Sequence, residues 1–193
     1  MSMTTIKVTK GTRDRLKSQA ASRHQTLEQY LGSLADRVET EERFDHLEQA
    51  IRKTPPELMK SWRRETVEWD RLAAAGLENL GDQWSRHPPG RTLVGPARCI
   101  RGPEQGGCRP IVIINGFRYA SLIDTLAMAI PVTTTDRGWP NHIPIIGPTP
   151  LAGFAMTEQP RTVSRSRLKM PAGSVEAPTL AEIRRWVHEF LEV

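Results

Sequence analysis

Long hydrophobic runs are missing from this chain. The most apolar stretch, around Leu122 to Val132, is broken by Asp124 and Pro131 and falls short of the ~20 apolar residues that a membrane-spanning helix needs. The first ten residues, MSMTTIKVTK, lack the apolar core of a secretory leader, so the expected location is cytoplasmic and no membrane partner is expected. Cysteine is scarce. Cys99 and Cys108 are the only two, match no metal-ligand spacing and are too few for a disulfide framework. No repeat or low-complexity tract is present. His24, His46, His87 and His188 show no pattern of partners, and His142 reads as structural. Neither a metal nor another cofactor is expected.

What is present is charge, unevenly spread. The 193 residues are 38% hydrophobic and 25% charged with a formal net charge of +5, ordinary for a globular protein and weakly in favour of a nucleic-acid partner. Residues 1–25 hold Lys7, Lys10, Arg13, Arg15, Lys17 and Arg23 against Asp14 alone, whereas residues 26–50 hold seven acids against Arg37 and Arg43. A basic contact face followed by a solvated acidic helix fits that asymmetry.

Thr4 to Lys10 alternates polar and apolar residues and predicts a short strand ended by Gly11. A helix is expected from Thr12 to Arg23. Thr26 and Gln29 form a capping box for a second, with Leu27, Tyr30, Leu31, Leu34 and Val38 on one apolar face that Phe44, Leu47 and Ile51 extend. Thr54-Pro55-Pro56 breaks the chain. A third helix is expected over 57–75, with Leu58, Trp62, Trp69 and Leu72 on one side and Gly76 as its cap. Glycine and proline then become frequent, and strands are expected at 110–115, 126–135, 142–146 and 153–158. A last helix is expected from a capping box at Thr179 and Glu182, burying Leu180, Ile183, Val187 and Leu191. The pattern changes near residue 77.

A lone strand followed by two helices leaves its edge hydrogen bonds open, and pairing with a second copy would close them. Residues 4–40 resemble the ribbon-helix-helix family. That resemblance implies a homodimer or higher homo-oligomer, with Ile6 and Val8 facing the core and Thr5, Lys7 and Thr9 turned toward operator DNA in the major groove. A plain solvated strand edge, with lysines guarding against aggregation, is the alternative. Trp62 and Trp69 fit either local packing or a helix that grips a groove.

The back half carries three blocks: EQGGCRPIVII from Glu104, IPVTTTDRGWPNH from Ile130, and AMTEQPRTVSRSRL from Ala155. In content, order and spacing they resemble the MazF/PemK toxins, small SH3-like barrels that cut single-stranded RNA at short sequences. The resemblance covers most of 95–193. It implies that Arg109 and Thr133 are the catalytic pair and that Glu104, Gln105, Glu158, Gln159 and Arg161 line an RNA groove. The chemistry is coherent. Attack by a neighbouring 2′-hydroxyl needs charge stabilised on the phosphate oxygens, and guanidinium is planar, permanently charged and able to hold two of them. Gly106 and Gly107 would let backbone approach a ligand closely. Taken alone, Arg109 is better read as a salt bridge to Glu104; Thr133 and the 158–162 block turn the reading to a phosphate. Trp139 can stack a base or anchor its loop. Arg165, Arg167 and Lys169 suit a polyanion or a solvated surface.

The expected class is therefore α+β: a ribbon-helix-helix over 1–45 and a toxin-neutralising helical extension with Trp62 and Trp69 over 46–76. An SH3-like β-barrel endoribonuclease with a terminal helix follows over 77–193. Such a chain resembles an antitoxin fused to its toxin. The segment 85–103 departs from the toxin pattern, with prolines and arginines where strand residues are expected and Pro103 where serine is common. This keeps a second reading open, a DNA-binding autoregulator with an inactive toxin-like domain.

Overall fold

Capping chemistry starts the first two helices. In the computed structural model, which describes residues 5–74, 96–101, 108–123 and 125–192, α1 spans Lys10–Ser22 and α2 spans Leu27–Lys53. The Thr26–Gln29 capping box is formed in both directions: the Gln29 N–H donates to the Thr26 hydroxyl at 3.1 Å and the Thr26 N–H donates to Gln29 Oε1 at 2.9 Å. The strand expected over 4–10 is not formed. Residues 5–9 lie outside any helix or strand and Lys10 already belongs to α1, because the Thr9 side chain accepts the Thr12 N–H and caps the helix. A strand also needs a partner, and among the described residues of one chain there is none.

The chain divides into two compact units, Met1–His46 and Leu47–Val193, with the division inside α2. In the first, Ala20 and Tyr30 are buried while Leu31 and Val38 of the predicted apolar face stay exposed. The Tyr30 hydroxyl donates to Gln19 Oε1 at 3.0 Å and ties α2 to α1.

In the second unit Lys53 ends α2, and α3 runs over Pro56–Ala74, where proline suits a first turn that needs no N–H. Seven strands follow: β1 Pro96–Arg101, β2 Cys108–Ile113, β3 Leu126–Thr133, β4 His142–Pro144, β5 Phe154–Met156, β6 Arg161–Ser164 and β7 Leu168–Ser174. The short α4, Phe117–Leu122, lies between β2 and β3, and α5, Ala177–Glu189, closes the domain. The strands form one antiparallel sheet in the order β4-β5-β3-β2-β1-β7, with β6 also on β3. The segment Arg98-Cys99-Ile100, which departs from the toxin pattern, is the middle of β1 and pairs with both β2 and β7. β1, β6, β7 and α4 were not among the expected elements. The expected junction near 77, the Gly76 cap and most of 85–103 lie outside the described residues.

Alternation along β2 sends its side chains to two cores. Val112 and Ile114, with Ile130 and Val132 of β3, pack in a cluster with Leu180, Ile183, Trp186 and Val187 of α5. Ile111 and Ile113, with Ala127 and Ala129, pack instead with Trp69 and Leu72 of α3. A strand buried on both faces reads as a continuous apolar run, which is why IVII does not alternate. Two details of α5 differ from expectation. It begins two residues before Thr179, with Pro178 in its first turn, so the Thr179–Glu182 pair is not its cap. Leu191 is 74% exposed, and Trp186 fills the stripe instead. Among the described residues no helix is long and apolar enough to cross a membrane.

Candidate active site beneath α3

Arg109 stands at the entrance of β2 and Thr133 at the end of β3. The ladder pairs Ile111 with Pro131 and Ile113 with Ala129. Continued by two residues, that register sets Arg109 opposite Thr133, on the face that Ile111 and Ala129 line. Thr133 is buried, and its hydroxyl accepts the Thr135 N–H at 3.1 Å. Gly153 keeps this corner tight. Its φ is +141°, and a Cβ there would lie 2.2 Å from the Thr133 carbonyl oxygen, so a side chain would push β5 away from Thr133.

The Arg109 guanidinium is partly exposed but already has partners. It forms an ion pair with Glu68 of α3, and its Cζ lies 6.0 Å from the centre of the Trp69 ring, a cation–π distance. The same helix meets other polar side chains of the domain in sequence order. Arg137 donates to Glu65 at 2.9 Å, Gln159 donates to the Thr66 hydroxyl at 2.9 Å, and Arg161 pairs with Asp70 at 2.9 Å. Arg167 reaches the Leu72 carbonyl. Positions 62, 65, 66, 69 and 72 share one helical face, and Glu68 and Asp70 flank it on either side, so the helix can touch all of them.

At the start of α3 a second group of side chains interlocks. Trp62 donates its indole N–H to Glu158 Oε1 at 2.9 Å. Asn141 donates to Glu158 Oε2 at 2.7 Å and His142 Nε2 lies 3.2 Å from Oε1. Burial pushes the Glu158 carboxyl up, but the hydrogen bonds and charge of His142 and the bond from Trp62 outweigh it, leaving its pKa below the ordinary carboxylate value. Trp139 lies between the rings of Trp62, 5.9 Å away, and His142, 4.9 Å away. It is buried and donates to the Thr54 hydroxyl at 2.7 Å. In this arrangement Trp139 anchors its loop.

A family model described as the PemK-like, MazF-like toxin of type II toxin-antitoxin systems matches residues 94–191. The chain belongs to this family. The match takes in every strand of the sheet and α5, while α3 lies before it. Among solved structures, MazF from Deinococcus radiodurans is similar at 25% identity over 52% of this chain and 96% of that one, with a TM-score of 0.44. An endoribonuclease in complex with its cognate antitoxin from a mycobacterial species is similar at 20% identity, over 51% of this chain and 93% of that one, with a TM-score of 0.45. The Mycobacterium tuberculosis toxin MazF-mt6 is similar at 18% identity, over 49% and 95%, with a TM-score of 0.41. No curated protein matches the chain.

Within this PemK/MazF toxin domain, Arg109, Glu158, Gln159 and Arg161 all meet α3, and Trp62 and Trp69 are among the residues they meet. Thr133 is buried, and its hydroxyl bonds to the Thr135 N–H rather than to α3. Glu104, Gln105, Gly106 and Gly107 lie outside the described residues. Thr5 and Lys7 are exposed in the first unit and Thr9 is a helix cap. Sequence reasoning missed the acidic side of α3, Glu65, Glu68 and Asp70, and it missed Arg137. Part of the signal was there: Glu65 shares the helical face of the two tryptophans, Glu68 and Asp70 flank it, and Arg137 lies inside the quoted block IPVTTTDRGWPNH.

Proposed function

We propose that the toxin domain is a metal-independent, sequence-specific endoribonuclease and that α3 holds it inactive within the same chain. The RNA 2′-oxygen attacks the adjacent phosphorus, the bond to the 5′-oxygen breaks, and a cyclic phosphate and a free 5′-hydroxyl result. The 2′-hydroxyl proton is lost and the leaving oxygen gains one. Arg109 neutralises the phosphate oxygens as charge gathers on them, and Thr133 donates a hydrogen bond to the same group. Glu158, Gln159 and Arg161 line the groove, and Trp139 presents a ring to a base once Trp62 has left.

The observation that carries this reading is the Arg109–Glu68 pair beneath Trp69. The side chain suited to a phosphate holds a carboxylate supplied by the segment that precedes the toxin family match. Tethering makes such inhibition effective even with modest contacts, since a linked segment acts at roughly millimolar concentration. The first unit extends the reading. Exposed Ile6 and Val8, 74% and 50% accessible, alternate with Thr5 and Lys7. Pairing with a second copy would bury the apolar pair and present the polar one to operator DNA, giving an antitoxin fused to its toxin.

The test is cleavage of a labelled single-stranded RNA by the full chain, by the full chain opened with Trp62→Ala, Glu68→Lys and Trp69→Ala, and by the opened chain carrying Arg109→Ala. The opened chain should cut and the parent should not, and Arg109→Ala should cost roughly a hundredfold to a thousandfold. A folded opened chain that leaves RNA intact, or cuts equally well without Arg109, overturns the assignment.

A further inference from the structure

Arg137 is buried as no surface arginine should be. Its side chain has 0% exposure, and among the described residues all its hydrogen-bond partners belong to α3. Nε reaches the Leu58 carbonyl at 3.4 Å, and one terminal nitrogen reaches the Ser61 hydroxyl at 3.4 Å and Glu65 Oε1 at 2.9 Å. The other terminal nitrogen, NH1, is buried with no partner. Desolvating a guanidinium and leaving one of its nitrogens unpaired is costly. A buried ion pair is in any case a poor way to stabilise a contact that apolar residues could make. Holding α3 in place does not account for an arginine here.

The loop that carries it is built to present it. Arg137 follows Thr133 by four residues. The Asp136 carboxylate accepts the Gly138 N–H at 2.8 Å, and Gly138 takes a φ of +66°, a left-handed turn. Trp139 is pinned by Thr54. The loop therefore has a fixed base, from which the Arg137 guanidinium reaches α3 with NH1 left unpaired. Glu65, which meets Arg137, and Glu68, which meets Arg109, are three residues apart on α3. Side chains so placed start about 5–6 Å apart, comparable to the spacing of neighbouring phosphates along an extended strand.

We propose that Arg137 is a second phosphate-binding residue of the RNA site. It takes the backbone phosphate next to the one held by Arg109, and Glu65 occupies that phosphate's place while α3 is down. This rests on the reading of Arg109 as a phosphate ligand and adds a contact that positions the strand without reading its sequence. Arg137 is thereby a binding residue rather than a catalytic one, and its two states are mutually exclusive: paired with Glu65 in the closed chain, or paired with RNA in the opened one.

The experiment uses the opened full chain described above and an uncleavable 2′-O-methyl RNA of mixed sequence. Kd is measured by fluorescence anisotropy at several salt concentrations, beside KM and kcat on cleavable RNA. Arg137→Gln in that background should weaken binding about tenfold or more and lower the slope of log Kd against log salt by about 0.7, one single-strand phosphate contact. KM should rise with kcat unchanged. Arg137→Lys, which keeps the charge, should retain the slope. Circular dichroism verifies that each variant is folded. If the opened chain binds and cuts RNA and Arg137→Gln leaves Kd, slope and KM untouched, the Arg137 assignment falls and the ribonuclease reading stands. If the folded opened chain neither binds nor cuts, both fall together.

Discussion

Replacing Trp69 with alanine separates a helix that masks a site from a helix that merely completes a core. Trp69 is 3% exposed and packs with Leu72, Ile111, Ile113, Ala127, Ala129, Met156 and Val163. Truncating a buried tryptophan costs about 3–5 kcal/mol. Arg109 loses its ring contact as well, though it is partly exposed and that loss adds little. If α3 can leave while the sheet stays folded on α5, the cost falls on the closed state alone. The open fraction then rises by about two decades or more, since 1.36 kcal/mol is a factor of ten. Cleavage of a quenched fluorescent RNA by the full chain should climb by the same factor until the open state dominates. Limited proteolysis should cut within 56–74 at a matching rate. The reasoning is refuted if Trp69→Ala lowers the melting temperature yet the folded protein shows no gain in cleavage, RNA binding or proteolysis of α3. That outcome would make α3 an ordinary layer of the domain.

Two further expectations follow from local chemistry. Glu158 has a folded-state pKa below its ordinary value of 4.5, so its bonds to Trp62 and His142 contribute stability at neutral pH that is lost as pH falls from about 4.5 through the folded value. Thermal melts of the parent and of Glu158→Gln should differ at pH 7 and converge as the pH falls through that window; a difference that persists unchanged below it would sink the idea. For the first unit, operator binding should weaken steeply with salt, and Lys7→Ala should reduce both affinity and the salt slope by about one phosphate contact, ~0.9 for duplex DNA. Salt-insensitive binding, or none, would remove the DNA reading.

The local signals in the chain were legible because their physics is local. Thr26 with Gln29 fixed a helix start that both hydrogen bonds confirm. Thr54-Pro55-Pro56 marked the break between α2 and α3, and IVII announced a strand buried on two faces. The EQGG-x-RP, VTT and TEQPR blocks pointed to the toxin family from residue identity alone. The strand over 4–10 failed for an equally physical reason. Its alternation is a statement about pairing, and within one chain Thr9 found a helix to cap instead. α5 likewise began earlier than its capping box suggested, because Pro178 fits a first turn.

What only the tertiary structure decided is which side chains oppose one another. Composition gave Trp62 and Trp69 a choice between packing and gripping. Folding lays them across the two cores, one on Glu158 and the other over Ile111 and beside Arg109. In the sequence Glu65, Glu68 and Asp70 are simply acids of a charged helix. Nothing within twenty residues of them carries the arginines they meet, and Arg137 shows no burial signal in a polar loop. Charge pairing across 41 and 72 residues of chain is set by the sheet register and by the approach of α3. Neither is written in any local window of the sequence.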